Sequence, residues 1–240
     1  MRKIFTIFLL AAMMCVSVCG CSNAPASPEP TPTDLKAEVE DARAVSMVLD
    51  ISDADALETA MPTKDIQANV WTENYMALMI ESCLNGDFDA GHRAADNRNA
   101  KIDALGLNMP KVSFDELYEL SKVITSEAGS SWIPMDWKMM VGEVVLNRVA
   151  SVEFPNTIIE VIHQRGQYSG ANSSRFANLV PYEDCVVAAS RLLNGERLIN
   201  DISVVFQSNH RQGSGIYLKL YDSYYGYTYL CYSEHPELYR

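Results

Sequence analysis

Between Phe114 and Val149 the apolar positions fall at helical spacing and then give way to something unexpected. Leu117, Leu120 and Ile124 lie ten, seven and three residues before Glu127, on one face of a helix. Ser113 and Glu116 in "SFDE" form a capping-box pattern that starts this helix, and Gly129 stops it. Pro134 opens a second helix, "MDWKMMVGEVVLNRVAS", with Met140, Val144 and Asn147 on one face. "FPNT" turns the chain into a short helix over 157–164, with Thr157 and Glu160 as a second capping box. "RGQYSGANSSRF" reads as a polar loop, and a further helix is predicted from about Tyr182 to Asn194, closed by Gly195. After Gly195 the pattern changes to short runs rich in β-branched and aromatic residues: "ISVVFQS", "IYLKLYD" and "YTYLCYS". Helices first and a small antiparallel sheet last predict an α+β domain over 110–240.

Upstream of Pro110 the pattern is helical and less informative. Leu35, Val39, Ala42 and Leu49 lie near one face of a first helix; "VWTENYMALMIESCLNG" predicts a second, and "HRAADNRNAKIDALG" a third closed by Gly106. Residues 34–109 are therefore expected to form a helical arm, with a protein partner of that arm as a further expectation.

The first twenty residues read as a leader rather than part of the fold. Arg2 and Lys3 precede the apolar run "IFTIFLLAAMMCVSV", which is too short and wrongly flanked for an ordinary membrane span. "VCGC" closes the run and resembles the lipobox of bacterial lipoproteins, implying lipidation of Cys21; an ordinary secretory signal cut nearby is the alternative. Both place the protein outside the cytoplasm, and the first anchors it to the membrane facing the wall. "SNAPASPEPTPTD" then forms a proline-rich tether over 21–33. At polyproline II rise it reaches ~35–40 Å.

Charge narrows the partners. Without residues 1–20 the chain keeps 17 Lys and Arg (19 less Arg2 and Lys3) against 31 Asp and Glu, a formal balance of −14. Nucleic acid is a poor partner for such a chain, since binding it relies on basic residues that neutralise phosphate. Acidic wall polymers are not drawn in at long range either, so a substrate must be gripped by short-range contacts. Cys83, Cys185 and Cys231 lack both a disulfide framework and the spacing of a zinc site, and read as partly buried thiols. His92, His163, His210 and His235 show no ligand-like spacing, so no metal or other cofactor is expected, and a zinc amidase finds no support. Cys185 followed by His210 is thin ground for a cysteine peptidase.

Glu127 is the residue most suggestive of chemistry. An ionised carboxylate on an apolar stripe is costly unless paired, and otherwise its pKa rises. A helix C-terminus offers it no help from the dipole. Either the stripe ends and Glu127 stands in water, or Glu127 is a general acid with a raised pKa.

"VITSEAG", "VGEVVLNRV" and "FPNTIIEVIHQRGQYS", in that order, resemble the cell-wall hydrolase family of the spore cortex-lytic enzymes (SleB/CwlJ type) over roughly residues 115–170. A weaker likeness continues to the C-terminal aromatic strands. The resemblance implies a lysozyme-like α+β domain that cleaves peptidoglycan glycan strands between N-acetylmuramic acid and N-acetylglucosamine. It implies a lytic transglycosylase with Glu127 as catalytic acid and then base. Asn147 and Arg148 match its Leu-Asn-Arg element, and Gln167 and Tyr168 its Gln-aromatic step; Asn147, Gln167, Tyr168 and Tyr225 are the expected substrate-binding residues.

The family's second glutamate, in a Glu-Ala-Arg-Gly-Glu pattern, is absent from "EAGSSWIPMD", where Ser130, Ser131 and Asp136 stand nearest. Trp132 and Trp137 are either a sugar-stacking wall or core. The run "YDSYYGYTYLCYSE" fits an ordinary hairpin from which Tyr225 reaches the cleft. A peptidoglycan-binding lipoprotein without catalysis is the alternative reading.

Overall fold

The computed structural model describes residues 64–168 and 170–239, with side chains from Val70 onward. The leader, Cys21, the tether and the first helix of the arm lie outside the described residues. Seven helices are followed by three strands: α1 Lys64–Asn85, α2 Phe88–Leu105, α3 Phe114–Ala128, α4 Met135–Val149, α5 Ile158–His163, α6 Ser174–Ala177 and α7 Glu183–Leu193, then β1 Val204–Ser208, β2 Ile216–Asp222 and β3 Gly226–Tyr232. The sheet is antiparallel in the order β1-β3-β2. The chain is thus the α+β domain that the patterning predicts, with one added turn: α6 interrupts the expected polar loop.

Helix α3 is the central element. Leu117, Leu120, Val123, Ile124 and Ala128 are buried, and so are Ser121, Lys122 and Thr125 on its other sides. It packs against α2, α4, α5 and α7. Gly142 lets α4 come close: a Cβ there would lie 2.6 Å from Leu192 Cδ1 of α7 and 2.8 Å from Ile124 Cδ1 of α3. A methyl group would force both side chains from a core that is normally close-packed.

Ser113 makes no side-chain cap bond at the start of α3, while the Glu116 carboxylate accepts the Ser113 backbone N–H. Only half of the capping box is formed. At α5 the Thr157 hydroxyl accepts the Glu160 N–H and donates to the Glu160 carboxylate at 2.8 Å. Gly106 ends α2 in the left-handed conformation (φ 63°), the ordinary glycine C-cap.

Helices α1 and α2 share the main core: Met76, Met79, Cys83, Ala94 and Ala95 pack with the residues of α3 and α7. Arg98, on the same face of α2 as Gly91, Ala94, Ala95 and Ile102, is 0% exposed. Its guanidinium donates to Pro110 O at 2.8 Å and Asn194 Oδ1 at 2.8 Å, tying α2 to the start of the next segment and the end of α7. Cys83, Cys185 and Cys231 are buried free thiols, and burial pushes Cys83 up to about 12 and Cys185 to about 11.

The sheet is joined to the helices through α4. Asn147 Nδ2 donates to Val204 O at 3.0 Å, and Arg148 Nε donates to Val205 O at 2.6 Å. These bonds hold the start of β1, the strand that carries Gln207 and Ser208, against the end of α4.

Candidate active site

The apolar stripe of α3 leaves the protein interior at its last turn. Leu117, Leu120 and Ile124 are fully buried, and one turn further Glu127 is exposed. That resolves the oddity of a carboxylate continuing an apolar ladder: it stands where the ladder emerges, at a recess of about 460 Å³. Ala128, Ile133, Trp137, Gln207, Ser208 and Asn209 line the recess with it, and Tyr225, Tyr227 and Thr228 close the far side. The side chain is reachable by solvent, yet the walls displace much of the water around its carboxyl. This desolvation raises the Glu127 pKa above the usual carboxylate range, and the Arg148 guanidinium pulls it the other way.

Arg148 is a buried cation held from several sides. Besides its bond to Val205 O, its guanidinium lies 5.1 Å from the ring centroids of both Phe154 and Tyr168. The phenol oxygen of Tyr168 is buried without a hydrogen-bond partner, and burial raises its pKa. The charge of Arg148 lowers that pKa and the charge of Glu127 raises it, so the three groups form one electrostatic unit.

The loop after Glu127 is anchored from below. Lys138, 1% exposed, donates to Ser130 O at 3.0 Å and to the Asp184 carboxylate. This fixes the segment carrying Ser130 and Trp132. The hydroxyls of Ser130 and Tyr225 are hydrogen-bonded at 2.5 Å, and Trp132 stacks on Tyr225 with centroids 6.3 Å apart and planes at 23°. Asp222 accepts the backbone N–H groups of Tyr225 and Tyr224 and the indole N–H of Trp132, which holds its pKa down. Trp132 is 58% exposed, a large apolar face kept in water by this bracing. Trp137 is half-buried, packs on the core and also lines the recess.

A second recess of about 790 Å³ is lined by Trp132 and Tyr225 and includes Thr125, Ser126 and Gly129. Tyr225 belongs to both recesses, so the two meet at the end of α3.

Of the sequence-predicted residues, Glu127 and Tyr225 share a recess, and Tyr168 is coupled to Glu127 electrostatically. Asn147 is buried, bonded to backbone carbonyls of β1 and its lead-in, and lies on neither recess wall. Gln167 also lies off both walls, its backbone N–H closing a turn onto Gln164 O. Asp136, exposed at the start of α4, lines neither recess and so does not replace the missing glutamate.

Sequence reading missed Gln207, Ser208 and Asn209. Their signal is the break in β1, where "VVF" gives way to three polar residues as the strand reaches the recess.

Among the described residues no three His, Cys, Asp or Glu side chains gather as metal ligands do.

A family model described as Cell Wall Hydrolase matches residues 134–215, from the start of α4 to the loop before β2. The matched stretch contains Arg148, Tyr168 and Gln207; Glu127 precedes it by seven residues, and Tyr225 follows it. Neither a curated protein nor a solved structure matches the chain. Residues 134–215 thus carry a domain similar to the cell wall hydrolases of the SleB/CwlJ type, which supports a peptidoglycan hydrolase in general.

Proposed function

We propose that the protein is a lytic transglycosylase with Glu127 as its single catalytic acid and base. The observation that carries this reading is the carboxylate content of the site. Among the described residues Glu127 is the one carboxylate lining its recess, and the one acid of the adjoining recess, Asp184, is engaged by Lys138. Hydrolytic glycosidases ordinarily need two carboxyl groups, ~5–9.5 Å apart, one of them to activate water or to attack the sugar. A transglycosylase needs one. Protonated Glu127 gives its proton to the oxygen between N-acetylmuramic acid and N-acetylglucosamine as the bond to the anomeric carbon breaks. The carboxylate left behind then takes the proton of the muramic C6 hydroxyl, whose oxygen bonds to the anomeric carbon and closes a 1,6-anhydro ring. No water is consumed, and Glu127 ends protonated as it began.

The raised pKa of Glu127 favours the proton-bearing form that the first step requires. Two recesses meeting at Tyr225 suit a linear strand that crosses the end of α3 and places sugars on either side of the bond broken. Trp132 and Tyr225 supply flat apolar faces of the kind sugar rings stack on.

The test is the chemistry of the products. Purified peptidoglycan digested by the protein should yield muropeptides with 1,6-anhydro ends by mass spectrometry. Reducing ends in their place would make the enzyme a lysozyme-type hydrolase and overturn the single-carboxylate scheme.

Residues 1–33 support membrane attachment through a lipid on Cys21. Cys21→Ala should shift the chain from the membrane fraction to the soluble fraction on centrifugation. An unchanged distribution would point to an ordinary signal cleaved elsewhere.

A further inference from the structure

The larger recess carries chemistry that glycosidic cleavage does not use. Its volume of about 790 Å³ falls within the range of sites that hold a small organic ligand. Among its described lining residues Arg175, on α6, is the one cation and Asp184 the one acid. Asp184 is already engaged by Lys138. Arg175 is exposed, and no described carboxylate lies in ion-pair contact with it. The recess therefore presents an uncompensated guanidinium on a chain whose formal charge is −12. Ser126 and Ser131 belong to the same lining, together with the stacked Trp132–Tyr225 pair. A planar cation that shares a recess with hydroxyl donors and stacking rings has the chemistry to recognise a carboxylate attached to a sugar.

We propose that this recess binds the carboxylate borne by the muramic acid side of the strand, with Arg175 as the binding residue that discriminates muramyl strands from uncharged amino-sugar polymers. The proposal rests on the glycan-cleaving reading above and names the substrate feature that its site selects. Two sources share this chemistry: a carboxylate of the stem peptide, or the lactyl carboxylate of a muramic acid without its peptide.

Binding tests it independently of turnover. Dissociation constants for the purified full chain and for Arg175→Ala would be measured by calorimetry against three soluble probes. The first is a disaccharide–tetrapeptide muropeptide. The second is the same disaccharide after an amidase has removed the peptide. The third is an N-acetylglucosamine tetramer, which has no carboxylate. Arg175→Ala should weaken at least one muramyl probe about tenfold or more, as loss of a charge-assisted contact does, and leave the tetramer unchanged. Loss on the muropeptide assigns the stem-peptide carboxylate; loss confined to the stripped disaccharide assigns the lactyl group. Arg175→Lys, which keeps the charge but not the fork, should recover part of the loss. An equal loss on all three probes, no loss on any, or no muramyl binding by the wild type overturns the proposal. Arg175-dependent muropeptide binding in a chain that releases no cleaved glycan would preserve this site and sink the catalytic reading instead.

Discussion

Glu127→Gln is expected to lower turnover of peptidoglycan by at least ~100-fold while leaving wall binding within about twofold of wild type. Glutamine keeps the shape and hydrogen-bonding reach of the side chain and removes the proton that must reach the glycosidic oxygen. General acid catalysis of this kind contributes ~10²–10⁴-fold. Binding is expected to be spared because, under the proposed function, the sugar contacts fall to Trp132, Tyr225 and the polar end of β1 rather than to Glu127.

The pH profile supplies a second readout. The Glu127 pKa is raised, so the proton-bearing form persists to higher pH than for an ordinary glutamate and is lost as pH rises through the raised value. The wild-type kcat/KM should therefore fall along an alkaline limb, and any residual activity of Glu127→Gln should lack that limb. Appreciable turnover by Glu127→Gln with the limb intact would assign the acid elsewhere. Silence from both proteins on walls that they bind equally would point to a wall-binding lipoprotein on a hydrolase fold.

Local pattern made the order of elements legible, because each helix and strand carries its own period. The strand runs over 202–208, 216–222 and 227–233 fall within two residues of β1, β2 and β3. What sequence could not give was the environment of single polar groups. Glu127 reads as buried because it continues the ladder of Leu117, Leu120 and Ile124; only the ending of the core at that turn makes it exposed. Arg98 fails in the other direction. Its charge alone predicts exposure, yet it stands on the α2 face of Ala94, Ala95 and Ile102, and acceptors from Pro110 and Asn194, the latter 96 residues on, satisfy it inside. Asn147 is a similar case: its position in the Leu-Asn-Arg element suggested the cleft, while its amide serves the backbone of Asp201 and Val204. Pairings this distant leave no trace in a local period. Tyr225 was accessible to reading because a tyrosine-rich hairpin marks an aromatic surface wherever the chain happens to place it.

The largest stability loss should come from Glu143→Ala. Glu143 sits in α4 with 0% exposure, and its Oε2 accepts the backbone N–H groups of Leu198 at 2.8 Å and Ile199 at 3.1 Å. Alanine would leave both donors without an acceptor and open a cavity. An unsatisfied buried donor costs about 1–3 kcal/mol and a large-to-small cavity adds to it, so a loss of about 3–5 kcal/mol is expected. For a domain of this size that is a melting temperature lower by ~10 °C. Glu143→Gln keeps an acceptor for both N–H groups and should cost far less.

The two substitutions also separate hydrogen bonding from charge. Burial raises the Glu143 pKa, while the Leu198 and Ile199 N–H groups and the Arg197 charge oppose it. A folded-state pKa above the unfolded value means that the folded chain holds the proton to higher pH. The resulting stabilisation is complete below the unfolded glutamate pKa and is lost as pH rises through the raised folded value. Glu143→Gln should be missing that part of the wild-type slope in urea denaturation followed across the same pH range. A Glu143→Ala melt within 2 °C of wild type, or identical slopes for wild type and Glu143→Gln, would remove Glu143 from this role. The loss would also reach the candidate active site, because the segment that Glu143 pins leads directly into β1. The register of that strand sets Gln207 and Ser208 against Glu127. Glu143→Ala should accordingly lose turnover at temperatures where the fold still persists, while Glu143→Gln should not.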